Sequence, residues 1–414
     1  MVKLSDIAKW MIDHPSSIRE IMSLVAEFEK HPEKWPRKLI YLAGGWPQDK
    51  PPEILREKMR EVIERDDLWL RAARYSPTLG FPDIREAVVN YEREIWGRRI
   101  NVDNIVFGLG STEQIGAIFL AILNPNDEVI LTSPGYLNYE RQLQLETKLS
   151  VKIKYWRIIS EEGIFSPDLD EFQNVLTENT KLVIITIPGN PDGQIWEDAI
   201  INSLLDLAEE REFYILFDVA YRAFIFEKDV PKYFSKPVGE YDIWSCTLSK
   251  ELRTPGWRAS YLILPENLVR ALDTIEQART LAPVSLIQMV LASLFNDTKA
   301  LTSLREFYRK GAQKYARAAK YTVELLEKIP DIKVLEPRGG FYVFFDVSKY
   351  DKDSKKIWLE LIHQYQVALA PGVDFNGFDG WLRLSFAPVV ESPNVLEEGL
   401  GRMREYFEKK KSRA

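Results

Sequence analysis

The central part of the chain alternates between strand-like and helix-like patterns, and this alternation constrains the fold more than any other feature. Short apolar runs predict strands at 128–131, 151–156, 181–187, 214–217, 242–247 and 259–264, and segments with helical spacing separate most of them. Such alternation indicates a mainly parallel sheet that is covered by helices on both faces. Because ligands bind at the carboxyl ends of strands in these sheets, the residues that follow each strand are the candidates for a site.

The segment that follows the predicted strand at 242–247 carries two hydroxyls, a lysine and an arginine. Thr247 and Ser249 are two residues apart, so an extended backbone would point both hydroxyls to one side. A Pro-Gly pair predicts a turn that brings Arg258, whose guanidinium suits a phosphate, back toward Lys250. A lysine in a partly desolvated site can lose its proton and form a Schiff base. The alternative is a loop with ordinary surface charges.

Two further strand ends carry groups that suit a ligand. Asp218 ends an apolar run, where a carboxylate costs free energy unless it has a partner; the alternative is a helix cap or turn residue. The segment 105–113 reads as a strand, a glycine turn and a helix start, and free N–H groups at a helix start bind phosphate.

In this order the segments resemble the motifs of class I and II aminotransferases, pyridoxal phosphate (PLP) enzymes of fold type I. The strongest match is Thr-x-Ser-Lys followed by Pro-Gly-x-Arg, and the resemblance extends over about 39–386. The chain departs from the usual family pattern at Thr112 and Glu113, which replace two glutamines. It departs again at Asp192, where Thr is usual, and at Val219, where Glu is common.

The resemblance implies an α/β fold with a mainly parallel, seven-stranded sheet in a large domain and a smaller α/β domain. We expect the large domain near 50–290, and the small domain from 1–49 together with 291–414. It also implies PLP as the cofactor. A homodimer is expected, because Tyr75 matches a residue that crosses to the other subunit and touches the cofactor phosphate.

The resemblance assigns a role to each matched position. Lys250 would hold the cofactor as a Schiff base and move the substrate proton, Asp218 would keep the pyridine nitrogen protonated, and Tyr221 would reach the phenolic oxygen. The other expected cofactor contacts are Gly110, Ser111, Thr112, Tyr136, Asn190, Thr247, Ser249, Arg258 and Tyr75. The expected substrate contacts are Gly45, Asn190 and Arg383.

Composition excludes several other classes of function. The net charge of −7 gives no electrostatic support to a nucleic-acid partner. A single cysteine excludes an intrachain disulfide and a cysteine-rich metal site, and the three histidines lack metal-ligand spacing, so no metal is expected. No apolar run approaches the ~20 residues that span a bilayer, and the N-terminus lacks a signal-peptide core, so we expect a cytoplasmic protein.

The expected reaction is reversible transfer of an α-amino group from an amino acid to a 2-oxo acid such as 2-oxoglutarate. Trp46 directly follows Gly45, the expected contact of the substrate carboxylate, and its ring favours aromatic or large neutral amino acids. A substrate with a second, distal carboxylate would need a second cation, and Arg71, Arg74 and Arg279 are the candidates. A C–S or β-lyase of the same fold stays open, because it would keep every cofactor residue. A PLP-binding regulator is disfavoured, since no basic helix-turn-helix pattern precedes the large domain.

Overall fold

The computed structural model describes residues 3–15 and 17–412, and its strands are numbered here in chain order. The strands are β1 (Ile40–Tyr41), β2 (Ile105–Gly108), β3 (Glu128–Ser133), β4 (Lys152–Arg157), β5 (Thr180–Thr186), β6 (Tyr214–Asp218), β7 (Asp242–Thr247), β8 (Ser260–Ile263), β9 (Lys333–Leu335), β10 (Tyr342–Asp346), β11 (Val367–Ala368), β12 (Ala370–Pro371) and β13 (Trp381–Ser385). Each strand predicted from the sequence is present, with ends shifted by at most two residues.

The α-helices follow the same numbering. They are α1 (Asp6–Asp13), α2 (Ser17–Lys30), α3 (Glu53–Glu64), α4 (Asp66–Ala72), α5 (Pro82–Tyr91), α6 (Ser111–Ile122), α7 (Asn138–Glu146), α8 (Leu169–Val175), α9 (Asp198–Arg211), α10 (Leu248–Glu251), α11 (Glu266–Arg279), α12 (Ser285–Phe295), α13 (Thr298–Leu326), α14 (Ser354–Tyr365) and α15 (Pro393–Lys411). Within residues 3–15 and 17–412, none is long and apolar enough to cross a membrane.

The large sheet has seven strands in the order β2-β8-β7-β6-β5-β3-β4. Its strands pair in parallel from β4 across to β7, while β8 is antiparallel to both β7 and β2. The exception follows from the segment before β8, which forms a single turn, α10, and no crossover helix. The mainly parallel sheet predicted from the strand–helix alternation is therefore confirmed.

Helices cover both faces of this sheet, which explains why its strands are apolar without alternation. In the central strand β6, Ile215 and Phe217 belong to one buried cluster, while Leu216 belongs to a second cluster on the opposite face. All three side chains are fully buried. A strand buried on both faces gains from apolar residues at every position, as the run Ile-Leu-Phe shows.

Two smaller sheets are built mainly from the C-terminal part of the chain. One has four antiparallel strands in the order β12-β13-β10-β9, and the other pairs β1 in parallel with β11. The pairing of β1 with β11 joins the N-terminal segment to this part, as the sequence-based division implies. The division into 50–290 on one side and 1–49 with 291–414 on the other stays a prediction.

The parallel strands bring their carboxyl ends to one edge of the large sheet. Thr186 at the end of β5 is in register with Asp218 at the end of β6, and Asp218 is in register with Ser245 of β7. The residues that follow β3, β5, β6 and β7 therefore meet at the same place. This edge carries the candidate site.

Candidate active site

A cavity of about 250 Å³ opens at the carboxyl edge of the large sheet. Side chains from the strand ends form its floor, and residues of β10 and β13 close it from the four-stranded sheet. The sequence-predicted residues that line it are Gly45, Ser111, Thr112, Tyr136, Asn190, Asp218, Tyr221, Thr247, Ser249, Lys250, Arg258 and Arg383. Residues from seven separate segments of the sequence thus meet in one cavity.

One end of the cavity combines the start of α6 with the guanidinium of Arg258. Gly110, which precedes α6, has φ +94°, and a Cβ at this position would overlap the guanidinium of Arg258. Arg258 itself has φ +53° and donates to the carbonyl of Pro255 at 3.2 Å, which confirms the predicted turn. Free N–H groups and a guanidinium at this end make it suited to a phosphate.

Two hydroxyls add to this end, although the backbone there differs from the prediction. The extended backbone expected through Thr247 and Ser249 is wrong: β7 ends at Thr247 and Ser249 lies in α10. The hydroxyls still meet, because Thr247 caps α10 by accepting from the backbone N–H of Ser249, and its Oγ1 donates to Ser249 Oγ at 3.0 Å. A short side chain that caps a helix points along its first turn, which brings the two groups together.

Lys250 lies in α10 and lines the cavity. Burial lowers the pKa of its amine to about 8, and the nearby charge of Arg258 acts in the same direction, while Asp218 opposes it. An amine with this pKa is partly unprotonated near neutral pH, so it can act as a nucleophile and accept a proton.

Asp218 lines the same cavity, close enough to Lys250 for their charges to interact. Its side chain accepts a hydrogen bond from the Tyr139 hydroxyl at 2.6 Å and from the Ala220 backbone N–H at 3.0 Å. Burial raises the pKa of Asp218, and the two hydrogen bonds and the charge of Lys250 oppose that shift. A cationic ligand atom would stabilise this buried carboxylate. Tyr139 was missed by the sequence analysis, since nothing in the pattern distinguishes it from the neighbouring Tyr136.

Another part of the cavity wall consists of polar side chains that are joined by a chain of hydrogen bonds. The amide of Asn190 donates to the Tyr221 hydroxyl at 3.1 Å. The Tyr221 hydroxyl in turn lies 3.1 Å from the hydroxyl of Tyr342. Tyr342 also was missed, although it directly follows the Gly-Gly-Phe segment at the start of β10, which could have indicated it. These polar groups face the cavity next to Lys250.

Arg383 is a fully buried cation at the end of this chain. Its Nη1 donates to Asn190 Oδ1 and its Nη2 to the carbonyl of Ala43, both at 2.9 Å, and its guanidinium lies over the ring of Tyr342. Among the residues that the structure describes, its Nε has no hydrogen-bond partner. A buried guanidinium held by neutral acceptors keeps its charge for a ligand, and a carboxylate is the ligand that fits it.

Taken together, the donors and acceptors fit PLP. The start of α6, Ser249 and Arg258 suit its phosphate, and the buried carboxylate of Asp218 suits its protonated pyridine nitrogen. Asn190 and Tyr221 suit the phenolic oxygen, and the amine of Lys250 suits the carbonyl carbon. Gly110 also fits this arrangement, since any larger residue would displace the guanidinium of Arg258 from the end of the cavity that suits the phosphate.

Tyr75 stands apart from the other sequence-predicted residues. It lies in the loop before α5, its side chain is 81% exposed, and it does not line the cavity. Its contact with the cofactor phosphate of a neighbouring subunit stays a prediction.

This fold and this cavity define a PLP-dependent enzyme of fold type I, and the comparisons agree. The family model described as aminotransferase class I and II matches residues 38–399. Aspartate aminotransferase from Pyrococcus horikoshii is 27% identical over 390 residues, which cover 93% of this chain and 94% of that protein. Aromatic-amino-acid aminotransferase 2 from Thermococcus litoralis is 26% identical, covering 96% and 97%.

The solved structures show the same fold. Aspartate aminotransferase from Thermus thermophilus with maleate superposes with a TM-score of 0.85 at 24% identity, over 98% of this chain and 100% of that chain. The chain belongs to the class I and II aminotransferases, and it is a PLP-dependent transaminase.

Proposed function

We propose that this transaminase moves the α-amino group of an aromatic or large neutral amino acid to a 2-oxo acid such as 2-oxoglutarate. The observation that carries the proposal is that Lys250, the buried carboxylate of Asp218 and the guanidinium of Arg383 line one cavity. Relatives are named both for aspartate and for aromatic amino acids, and the second name supports the proposed donor.

Each residue has a defined part in this reaction. Bound PLP supplies an electron sink that stabilises negative charge at the substrate Cα. Arg383 binds the α-carboxylate through its guanidinium, whose Nε has no hydrogen-bond partner among the described residues. The carboxylate then lies next to the backbone of Gly45, and the Cα–H bond is held beside Lys250. The amine of Lys250, with its pKa lowered to about 8, accepts the Cα proton and returns it. Asp218 supplies the negative charge that a protonated pyridine nitrogen requires.

The aromatic preference follows from the walls of the cavity. Trp46 lines it, with the Tyr41 ring 6.0 Å away, and three further tyrosines lie around it: Tyr136, Tyr221 and Tyr342. In the part of the chain that the structure describes, the cations lining this cavity are Lys250, Arg258 and Arg383, and each already has a proposed partner. A short second carboxylate would therefore lie among aromatic rings without a counterion, at a cost of several kcal/mol.

We expect phenylalanine to be preferred over aspartate by about a hundredfold or more in kcat/KM, with 2-oxoglutarate as acceptor, since a cost of several kcal/mol corresponds to at least about two factors of ten. Trp46→Ala should lower kcat/KM for phenylalanine roughly tenfold, because it removes apolar contact area. Alanine as the donor is the control, since its methyl group is too short to depend on Trp46. A hundredfold preference for aspartate in the unmodified enzyme would contradict the proposed substrate class.

We also propose that the active unit is a homodimer. Apolar side chains are exposed on one region formed by α4, the following loop and the segment before α12; they are Trp69, Leu70, Tyr75, Leu281 and Val284. The two segments are in contact, since the Ser285 hydroxyl donates to the carbonyl of Arg74 at 2.5 Å. An apolar region of this kind is typical of an interface between subunits.

Mixing two damaged variants tests this assembly. Tyr75→Ala should weaken PLP binding about tenfold, through the loss of one hydrogen bond to a charged group. If Tyr75 crosses the interface, a mixed dimer of the Tyr75→Ala and Lys250→Ala variants contains one intact site and recovers activity. Sedimentation of the unmodified protein should show dimers. A fully active monomer, or a mixture that recovers nothing although mixed dimers form, would contradict the proposal.

A further inference from the structure

The loop between β1 and α3, which lines the candidate active site at Gly45, contains a buried carboxylate, Asp49. Oδ1 of this carboxylate accepts from Arg253 Nε at 3.2 Å and from the Tyr315 hydroxyl at 2.9 Å. Its Oδ2 forms an ion pair with Lys314 Nζ at 2.8 Å. Burial alone would raise the pKa of Asp49, but the two cations and the tyrosine hydroxyl outweigh it and lower the pKa below its usual value. The carboxylate is therefore held in its charged form.

Arg253 connects this carboxylate to the helical turn that carries Lys250. Its Nη1 donates to the carbonyl of Glu251 at 2.9 Å and to the carbonyl of Lys250 at 3.3 Å. Helix α10 has four residues, and the last carbonyls of a helix have no partner within it, so the guanidinium caps the turn. One side chain, which we call the arginine bridge, thus contacts both the backbone of Lys250 and the carboxylate of Asp49.

The surroundings of the arginine bridge restrict its position. The side chain of Arg253 is fully buried, and its guanidinium lies 4.5 Å from the centre of the Phe224 ring and 4.7 Å from that of Phe307. A Cβ at Gly311, in α13, would lie 2.7 Å from Nη2, so α13 can pack this closely only because it has a glycine there. The bridge therefore has little freedom to lengthen or to shift.

The opposite end of the same loop is anchored to the two smaller sheets. The Leu42 N–H donates to the carbonyl of Ala368 at 2.9 Å, and the Ser385 N–H donates to the carbonyl of Leu42 at 2.7 Å. This end also contacts Arg383, whose Nη2 donates to the carbonyl of Ala43. The loop thus begins at the proposed carboxylate site and is tied at its other end to α10.

Helix α10 has a second anchor that does not involve this loop. Arg222, which follows Tyr221, donates from Nε to Glu251 Oε1 at 2.6 Å in a fully buried ion pair. Its Nη2 donates to the hydroxyl of Tyr261, on β8, at 2.7 Å. These contacts hold α10 on the large sheet, whereas the arginine bridge relates it to the loop. We therefore expect α10 to remain folded when Asp49 is changed.

Proton transfer at the substrate Cα requires that the amine of Lys250 and the bound α-carboxylate be correctly spaced. A misplacement of about 1 Å can cost on the order of 100-fold in rate. We propose that Asp49 and Arg253 are positioning residues, which set the position of Lys250 relative to the loop that faces the substrate carboxylate. The inference rests on the roles proposed for Lys250 and Arg383, and it does not depend on the side chain of the substrate.

Asp49→Asn tests the arginine bridge, because it removes the charge and keeps the size of the side chain. Phenylalanine added to the holoenzyme without an acceptor converts the bound cofactor once, and the change in visible absorbance reports this single turnover. We expect its rate constant to fall about 10- to 100-fold, with an unchanged amplitude per bound PLP. Loss of folded protein would instead lower the amplitude. Asp331→Asn, at an exposed ion pair with Lys411, is the matched control and should change neither value.

Gly311→Ala disturbs the same bridge without removing a charge. Its methyl group would meet Arg253 Nη2, so the guanidinium has to move, and we expect the single-turnover rate constant to fall about three- to tenfold. Alanine favours a helix more than glycine does, so α13 should not be weakened, and this variant decides the question even where Asp49→Asn is unstable. Gly401→Ala, on α15, is the matched control: apart from its own helix, no described atom lies within 4 Å of a Cβ there. It should leave the rate constant unchanged.

Binding of 3-phenylpropionate, a carboxylate that cannot react, gives a measurement that does not depend on catalysis. Its dissociation constant for the holoenzyme should change by less than about threefold in Asp49→Asn, because Arg383 keeps its partners. Binding weakened about tenfold, a lower amplitude with an unchanged rate constant, or a rate constant within about threefold of the unmodified enzyme would overturn the positioning role. A fall in the rate constant of Asp49→Asn with a donor other than an aromatic or large neutral amino acid, where that donor is the preferred one, would refute the proposed substrate class and leave this inference standing.

Discussion

Replacing Lys250 by alanine is expected to reduce amino transfer by at least about a thousandfold, because the variant loses both the nucleophile and the proton carrier. Among the residues that the structure describes, Lys250 is the only lysine that lines the cavity. The substitution removes a desolvated amine that has no hydrogen bond to another described residue, so the free energy of unfolding should change little. Initial rates of amino transfer and the thermal unfolding temperature check both expectations.

Two comparisons separate loss of chemistry from general damage. Lys320→Ala removes a lysine that is 77% exposed on α13, and it should keep full activity. A small amine added to the solution should restore part of the rate in Lys250→Ala, since it can carry the proton when the side chain is absent. A Lys250→Ala variant that keeps more than a tenth of the activity would contradict the assigned role.

Asp218→Asn is expected to lower kcat about 100- to 1000-fold while PLP still binds, because a charge aimed at the reacting system is lost. Asparagine keeps the size of the side chain and an oxygen that can accept from Tyr139, so the cavity should keep its shape. The pKa of Asp218 is raised by burial, which means that its ionised form is destabilising in the protein without cofactor. The variant without PLP should therefore unfold at the same temperature as the unmodified protein or higher.

Tyr139→Phe is the matched control for this prediction. It removes the hydrogen bond at 2.6 Å and leaves the carboxylate in place, so we expect a loss of about tenfold or less. An Asp218→Asn variant within tenfold of full activity would show that the charge of Asp218 is not required. Rates measured at saturating PLP exclude weaker cofactor binding as the cause.

The sequence predicted the large sheet because its strands are buried on both faces and therefore appear as plain apolar runs. It predicted much of the site for a related reason, since Asp218 is the last residue of β6 and Asn190 lies in the loop that follows β5. The local conformation of Ser249 was wrong, because spacing alone does not reveal that a capped helical turn begins after β7. The sequence thus predicts where the strands end better than it predicts the backbone conformation of the segments that follow them.

Contacts between distant segments account for what the sequence could not predict. Tyr139 reaches Asp218 from α7, and Tyr342 reaches Tyr221 from a different sheet, so no local pattern contains either pair. The partners of Arg279 come from separate helices, α6, α7 and α11, and the charge that looked free in the sequence is neutralised only in the fold.

Reduction of the holoenzyme with borohydride, followed by peptide mapping, tests most directly whether Lys250 holds the cofactor. The pyridoxyl group should be found on the peptide that contains Lys250. It should be absent from Lys250→Ala and present in Lys320→Ala, which shows that the label requires the lysine of the cavity. Labelling of another lysine in the unmodified protein, or no labelling after saturation with PLP, would contradict the assignment of the active site.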